Sequence, residues 1–94
     1  MARQDTLGTV ATNVRTENGK TCVRYHATDV VTFDAETITL NSGGWSTQTT
    51  KNRMNQASRQ FGLCYNVYQK DFSWFVYWQG NILPFSDGMI LERI

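Results

Sequence analysis

Few side chains in this 94-residue sequence are equipped for chemistry: one histidine, His26, two cysteines, Cys22 and Cys64, and a glycine-led run, Gly43-Gly44-Trp45-Ser46-Thr47-Gln48-Thr49-Thr50-Lys51. A glycine pair running into a helix start offers unpaired N–H groups at the positive end of the helix dipole, a setting that suits phosphate. Lys51 would bring charge, Ser46, Thr47 and Thr49 hydroxyls, and Trp45 a stacking surface. The spacing is not that of a Walker loop, and a second reading stands beside the first: plain capping by Ser46 or Thr47 with Trp45 as a hydrophobic staple.

The formal net charge is only +1, so any electrostatic attraction must be local. Between Thr37 and Lys70 there is no acid, while Lys51, Arg53, Arg59 and Lys70 are basic. That asymmetry fits an anion-binding face, and equally a solvated helix face. At 100° per residue, Gln48, Asn52, Asn55 and Arg59 form a ridge opposite Met54 and Phe61, able to read base edges or simply to keep the helix soluble. On a strand through residues 20–27, Cys22, Arg24 and His26 share a face, making Arg24 and His26 candidate ligand contacts; the alternative is a satisfied structural histidine. Trp45, Trp74, Trp78, Tyr65, Tyr68 and Tyr77 are too many large rings to bury completely in a small domain, so some should face outward for stacking or as a protein hot spot.

Enzyme templates are missing: there is no Cys-x-x-Cys, His-Glu-x-x-His, Gly-x-Ser-x-Gly or phosphate-loop pattern, and no metal or cofactor is expected. Asp29, Asp34 and Glu36 cluster near a turn, where acids are usually solvated or capping. Two cysteines make at most one bridge, which suggests a reduced intracellular setting. The N-terminal residues carry no signal-peptide pattern, and the run from Phe72 to Trp78 is too short for a spanning helix, so no membrane contact is expected.

The elements that must position these groups follow from periodicity. Asn18-Gly19 between residues 10–17 and 20–27 signals a hairpin, and residues 30–33 and 37–40 form a second one around Asp34-Ala35-Glu36. Thr50, Met54, Ala57, Ser58 and Phe61 form the stripe of one helix, capped by Ser46 or Thr47 and closed by Gly62. Strands over 64–69, 72–79 and 89–92 follow. The expectation is an α+β domain spanning 1–94, an antiparallel sheet of about four strands, then further strands, packed on a single α-helix. In the 72–78 strand, Phe72, Trp74, Val76 and Trp78 take one face and Phe75 and Tyr77 the other, so its second face is either central or meets a partner.

The runs Arg24-Tyr25-His26-Ala27-Thr28-Asp29-Val30-Val31-Thr32-Phe33, Thr37-Ile38-Thr39-Leu40-Asn41-Ser42-Gly43-Gly44-Trp45, Thr49-Thr50-Lys51 and Arg53-Met54-Asn55 resemble a recurrent small protein family of tailed bacteriophages. The likeness is clearest over residues 22–56, with Pro84-Phe85 and Asp87-Gly88-Met89 also similar. It brings no catalytic residues. It implies an accessory protein made in the cytoplasm of an infected bacterium and acting by binding. The residues point first to a non-enzymatic protein that binds a phosphate-bearing ligand, nucleic acid or nucleotide, through the Gly43–Thr50 loop and the following helix. The alternative is a protein-binding inhibitor of a host enzyme or antiviral defence complex, using the aromatic second face and the amide ridge. A homo-oligomer is a third possibility.

Overall fold

The computed structural model describes residues 12–44 and 47–93. Four strands come first, β1 (Thr12–Glu17), β2 (Lys20–Tyr25), β3 (Thr28–Phe33) and β4 (Thr37–Leu40). The helix α1 (Gln48–Phe61) is followed by β5 (Asn66–Lys70), β6 (Ser73–Trp78), β7 (Asn81–Pro84) and β8 (Met89–Glu92). The α+β class and the strand–helix–strand order agree with the sequence. The strands form two antiparallel sheets: a five-stranded sheet ordered β1-β2-β3-β4-β8, and a three-stranded sheet ordered β5-β6-β7.

Three hairpins are closed by two residues that both take positive φ: Asn18-Gly19 (53° and 78°), Asp71-Phe72 (52° and 67°) and Gln79-Gly80 (48° and 80°). This is the type I′ turn, whose twist matches that of the strands it joins. Two of them carry glycine at the second position, where the left-handed backbone costs an L side chain energy. The third carries phenylalanine. Phe72 and Gln79 therefore lie in turns and not in β6, and β2 ends at Tyr25, leaving His26 in a turn with φ 56°.

Along the five-stranded sheet, Val14, Val23, Val31, Leu40 and Met89 stand in register across five strands on the side that carries the core, with Val14 on the edge strand still exposed. A register shift between Val23 and Arg24 inserts Val30 opposite β2, and Val30 and Val31 are both buried. Helix α1 offers Thr50, Met54, Ala57 and Ser58 as its buried stripe, with Phe61 half-buried against Phe33 at a ring separation of 5.1 Å. Val67, Val76 and Trp78 from the smaller sheet complete the same core. Each fully buried Val, Leu, Ile or Met contributes about 1.5–3 kcal/mol relative to exposure, so this shared core is what holds both sheets to the helix.

The smaller sheet separates from the larger because α1 covers the open edge of β5. Asn55 donates from Nδ2 to the Val67 carbonyl and accepts from the Val67 N–H, both at 2.8 Å. Ser58 does the same for Tyr65, donating to its carbonyl at 2.7 Å and accepting from its N–H at 3.0 Å. Side-chain amide and hydroxyl groups thus replace a neighbouring strand.

Candidate functional site

The smaller sheet has two unlike faces. Trp74, Val76 and Trp78 point inward, and Val76 and Trp78 are buried. The outward positions are Asn66, Tyr68 and Lys70 on β5, Ser73, Phe75 and Tyr77 on β6, and Ile82 and Pro84 on β7. Register assembles them into two cross-strand rows, Tyr68–Phe75–Pro84 and Asn66–Tyr77–Ile82. Tyr68 and Phe75 stack at 5.8 Å. Tyr77 is 48% exposed, Ile82 61% and Phe72, at the tip of the β5–β6 turn, 96%. Lys70 is the one charged residue among these outward strand positions, so most of the face is uncharged and apolar. Contiguous apolar surface of this kind is chemically suited to packing against another apolar surface.

The residues singled out in the sequence do not assemble into one cationic patch. Lys51 and Arg53 are two positions apart on a helix, so their side chains diverge by about 200° and leave on opposite flanks. Lys51 is only 7% exposed; its ammonium donates to Gln69 Oε1 at 3.3 Å and lies 5.6 Å from the Trp74 ring centroid. Arg53 turns the other way, donating to Thr12 Oγ1 at 2.9 Å and Gln56 Oε1 at 3.2 Å, with its guanidinium 5.6 Å from the Tyr25 ring centroid. The exposed Lys51 expected from the sequence is thus corrected: the flank of the first helical turn that carries it packs against the smaller sheet. Asn55 is likewise committed to the β5 edge and is not on an open ridge, although Gln48 and Asn52 remain exposed and bonded to each other at 2.9 Å. Arg59 is exposed in the last turn, about 18 Å along the axis from Thr47.

Arg24 lies on the outer face of the larger sheet, where Asp29 accepts from Arg24 Nε at 3.0 Å and from both terminal nitrogens of Arg15 at 3.2 and 3.0 Å. The Arg15 hydrogen bonds, more than the Arg24 one, hold the Asp29 carboxyl below its ordinary range, although partial burial opposes them. Asp29 is thus an ion-pair centre. Asp34 fills the expected capping role, since its Oδ1 accepts from the Thr37 and Glu36 N–H groups at 2.8 Å each and its carboxyl is also lowered, chiefly by those bonds.

One group of predicted residues does converge. Thr47 and Thr49 at the helix start and His26 in the β2–β3 turn line a cavity of about 490 Å³ together with Tyr25 and Ala27. His26 does not continue the Arg24 strand face as expected; the turn tips its ring onto Tyr25, with centroids 4.4 Å apart. Thr47 is the N-cap, accepting from the Thr50 N–H at 3.2 Å. Trp45 and Ser46, the expected stacking and capping partners, lie outside the described residues. Among the described residues, no three His, Cys, Asp or Glu side chains gather as a metal site, and no helix is long and apolar enough to cross a membrane. Phe72, Ile82 and Pro84 were not among the residues singled out as functional. The signal for Phe72 was the turn spacing: a two-residue turn after Lys70 places it where glycine belongs.

By architecture this is a small α+β protein in which one helix seats two antiparallel sheets. The chain belongs to the phage family described as Kyanoviridae Gp96 protein, whose family model matches residues 2–92. No curated protein and no solved structure matches it.

Proposed function

We propose that this phage protein is a non-enzymatic binding protein that acts in the cytoplasm of the infected bacterium. Its contact surface is the outer face of the three-stranded sheet, and its partner is a host protein such as an enzyme or a component of an antiviral defence complex. The observation that carries the reading is Phe72, a large apolar ring 96% exposed and held at φ 67° in a position that its two sister turns give to glycine. A residue that burdens the fold twice, by exposure and by backbone strain, is accounted for by a contact made outside the fold. Tyr68, Phe75, Tyr77, Ile82 and Pro84, on the outer face of the same sheet, supply the rest of the apolar surface. The test is a binding comparison on bacterial lysate after nuclease treatment. Wild-type protein should retain one host protein at near-equal stoichiometry, and the Tyr77→Ser/Ile82→Ser double variant should lose it while keeping the wild-type circular dichroism spectrum. Equal recovery by both proteins removes the reading.

A second reading, a phosphate-bearing ligand such as a nucleotide or nucleic acid, is supported by the cavity at Tyr25, His26, Ala27, Thr47 and Thr49 beside the helix start. It draws its charge from Arg53 on the same flank. Its binding should weaken steeply with salt, and Arg53→Ala should reduce that slope; affinity indifferent to salt excludes it.

A further inference from the structure

We infer that the outer edge of β8 is a strand-addition site that a second copy of this chain occupies. The backbone bonding decides which groups each edge exposes. The Thr37 carbonyl accepts from the Asp34 N–H at 3.0 Å and the Asn41 N–H donates to the Val30 carbonyl at 3.1 Å, so the odd-numbered residues of β4 bond to β3 and the even-numbered ones to β8. The Arg93 N–H, donating to the Glu36 carbonyl at 2.8 Å, continues that alternation. Leu91 and Arg93 therefore face β4, and the N–H and C=O groups of Ile90 and Glu92 face away from the sheet. Among the described residues nothing bonds them. Both edges of the smaller sheet are closed to such pairing. Asn55 and Ser58 bond along β5. On β7, the Phe85 N–H donates to the Trp74 carbonyl at 3.0 Å, which turns the backbone of Ile82 and Pro84 outward, and Pro84 has no N–H to offer. Covering side chains and edge proline both keep strands from pairing between molecules. β8 has neither, and it carries Ile90, 61% exposed on the outer face of the larger sheet.

A second copy fits because an antiparallel edge is its own complement about a twofold axis. Residues whose backbone groups point outward must pair with one another, so the axis passes through Ile90, Leu91 or Glu92. Centred on Glu92, carboxylate would stand opposite carboxylate; centred on Leu91, Ile90 would stand opposite the charge of Glu92. Centred on Ile90, the two Ile90 residues exchange both backbone hydrogen bonds and their side chains meet on the outer face, while Glu92 lies opposite the uncharged Gly88. Charge thus selects the Ile90 register, which joins the two five-stranded sheets into one continuous sheet. The pairing uses none of the residues of the aromatic contact surface and is independent of the reading built on it.

The full-length protein is followed by sedimentation velocity from micromolar concentrations up to about 1 mM, the range in which a short interface assembles, with amide hydrogen exchange read at both ends of the range. Wild type should pass reversibly from monomer to dimer. Exchange at the Ile90 amide should slow as the dimer forms, while the Ile82 amide on the outer side of β7 keeps its rate. Ile90→Lys, which sets like charges opposite each other across the axis, should weaken dimerisation by about tenfold or more. Ile90→Pro removes the outward N–H without touching the bonds to β4 and should weaken it as well. Wild type that stays monomeric throughout overturns the proposal, as does a dimer in which the Ile90 amide exchanges at the monomer rate, or one that Ile90→Lys leaves intact. Tyr77→Ser/Ile82→Ser should dimerise like wild type; its failure to do so would move the contact to the sheet face and sink the edge proposal. Recovery of a host protein from lysate is scored separately, so a monomeric wild type leaves the sheet-face reading standing.

Discussion

Replacing Phe72 with glycine should make the protein more stable. The left-handed backbone costs an L residue about 1–2 kcal/mol, and glycine removes that cost while losing some conformational entropy of its own. Little packing is surrendered, because the ring is 96% exposed. The net gain is about 1 kcal/mol, which in a domain of this size raises the melting temperature by roughly 4–8 °C. Asp71 followed by a glycine would also be one of the preferred pairs for a type I′ turn, matching the glycine at Asn18-Gly19 and Gln79-Gly80. Thermal unfolding followed by circular dichroism at neutral pH reads the shift. The converse change at a sister turn, Gly80→Ala, should lower the melting temperature through the backbone alone, since Gly80 stands at φ 80° and a Cβ there would meet nothing within 4 Å. A fall in stability in Phe72→Gly would refute the reasoning: it would mean that the ring stabilises the fold it stands on, and the case for Phe72 as an outward contact would go with it.

Asn55→Ala should destabilise by about 2 kcal/mol, since two bonds to the Val67 backbone are lost against a small gain in helix propensity, and hydrogen exchange at the Val67 amide should accelerate. Gly43→Ala should be more damaging than a left-handed backbone alone explains, because a Cβ there would lie 2.2 Å from Thr28 Oγ1 and φ is 63°; chemical denaturation should show a lower midpoint. Asp29 and Asp34 are both held below their ordinary values, so the stability they contribute is present at neutral pH and is lost as pH falls from about 4 through their lowered folded-state values. Asp29→Asn should flatten part of that acid limb in a melting-temperature profile, leaving the Asp34 part.

The fold was legible where local chemistry decides the outcome. The Asn18-Gly19 turn, the helical stripe through Met54 and Ala57, the Thr47 cap and the Gly62 close at φ 65° all depend on residues a few positions apart. The division into two sheets was not legible, because it depends on Asn55 and Ser58 standing in for a strand along β5 and on β8 returning to β4 across the chain. The alternation along β6 could be read from the sequence, but whether its second face is buried could not, and the structure leaves Tyr77 on that face exposed. Lys51 shows the limit of a one-dimensional charge count: an acid-free stretch says nothing about which flank of a helix is covered, and here the cation is packed on Trp74. Arg24 makes a similar point, since its ion-pair partner Asp29 is supplied across a hairpin and not by its own strand.

The central claim is that the outer face of the β5–β6–β7 sheet is where this protein meets its partner. Quantitative mass spectrometry of proteins retained from host lysate by wild type, Phe72→Gly and Tyr77→Ser/Ile82→Ser tests it most directly. The account predicts one stoichiometric host protein on wild type, reduced on Phe72→Gly and absent on the double variant, with all three proteins folded. The same host protein retained equally by all three, or none retained by wild type, would contradict it.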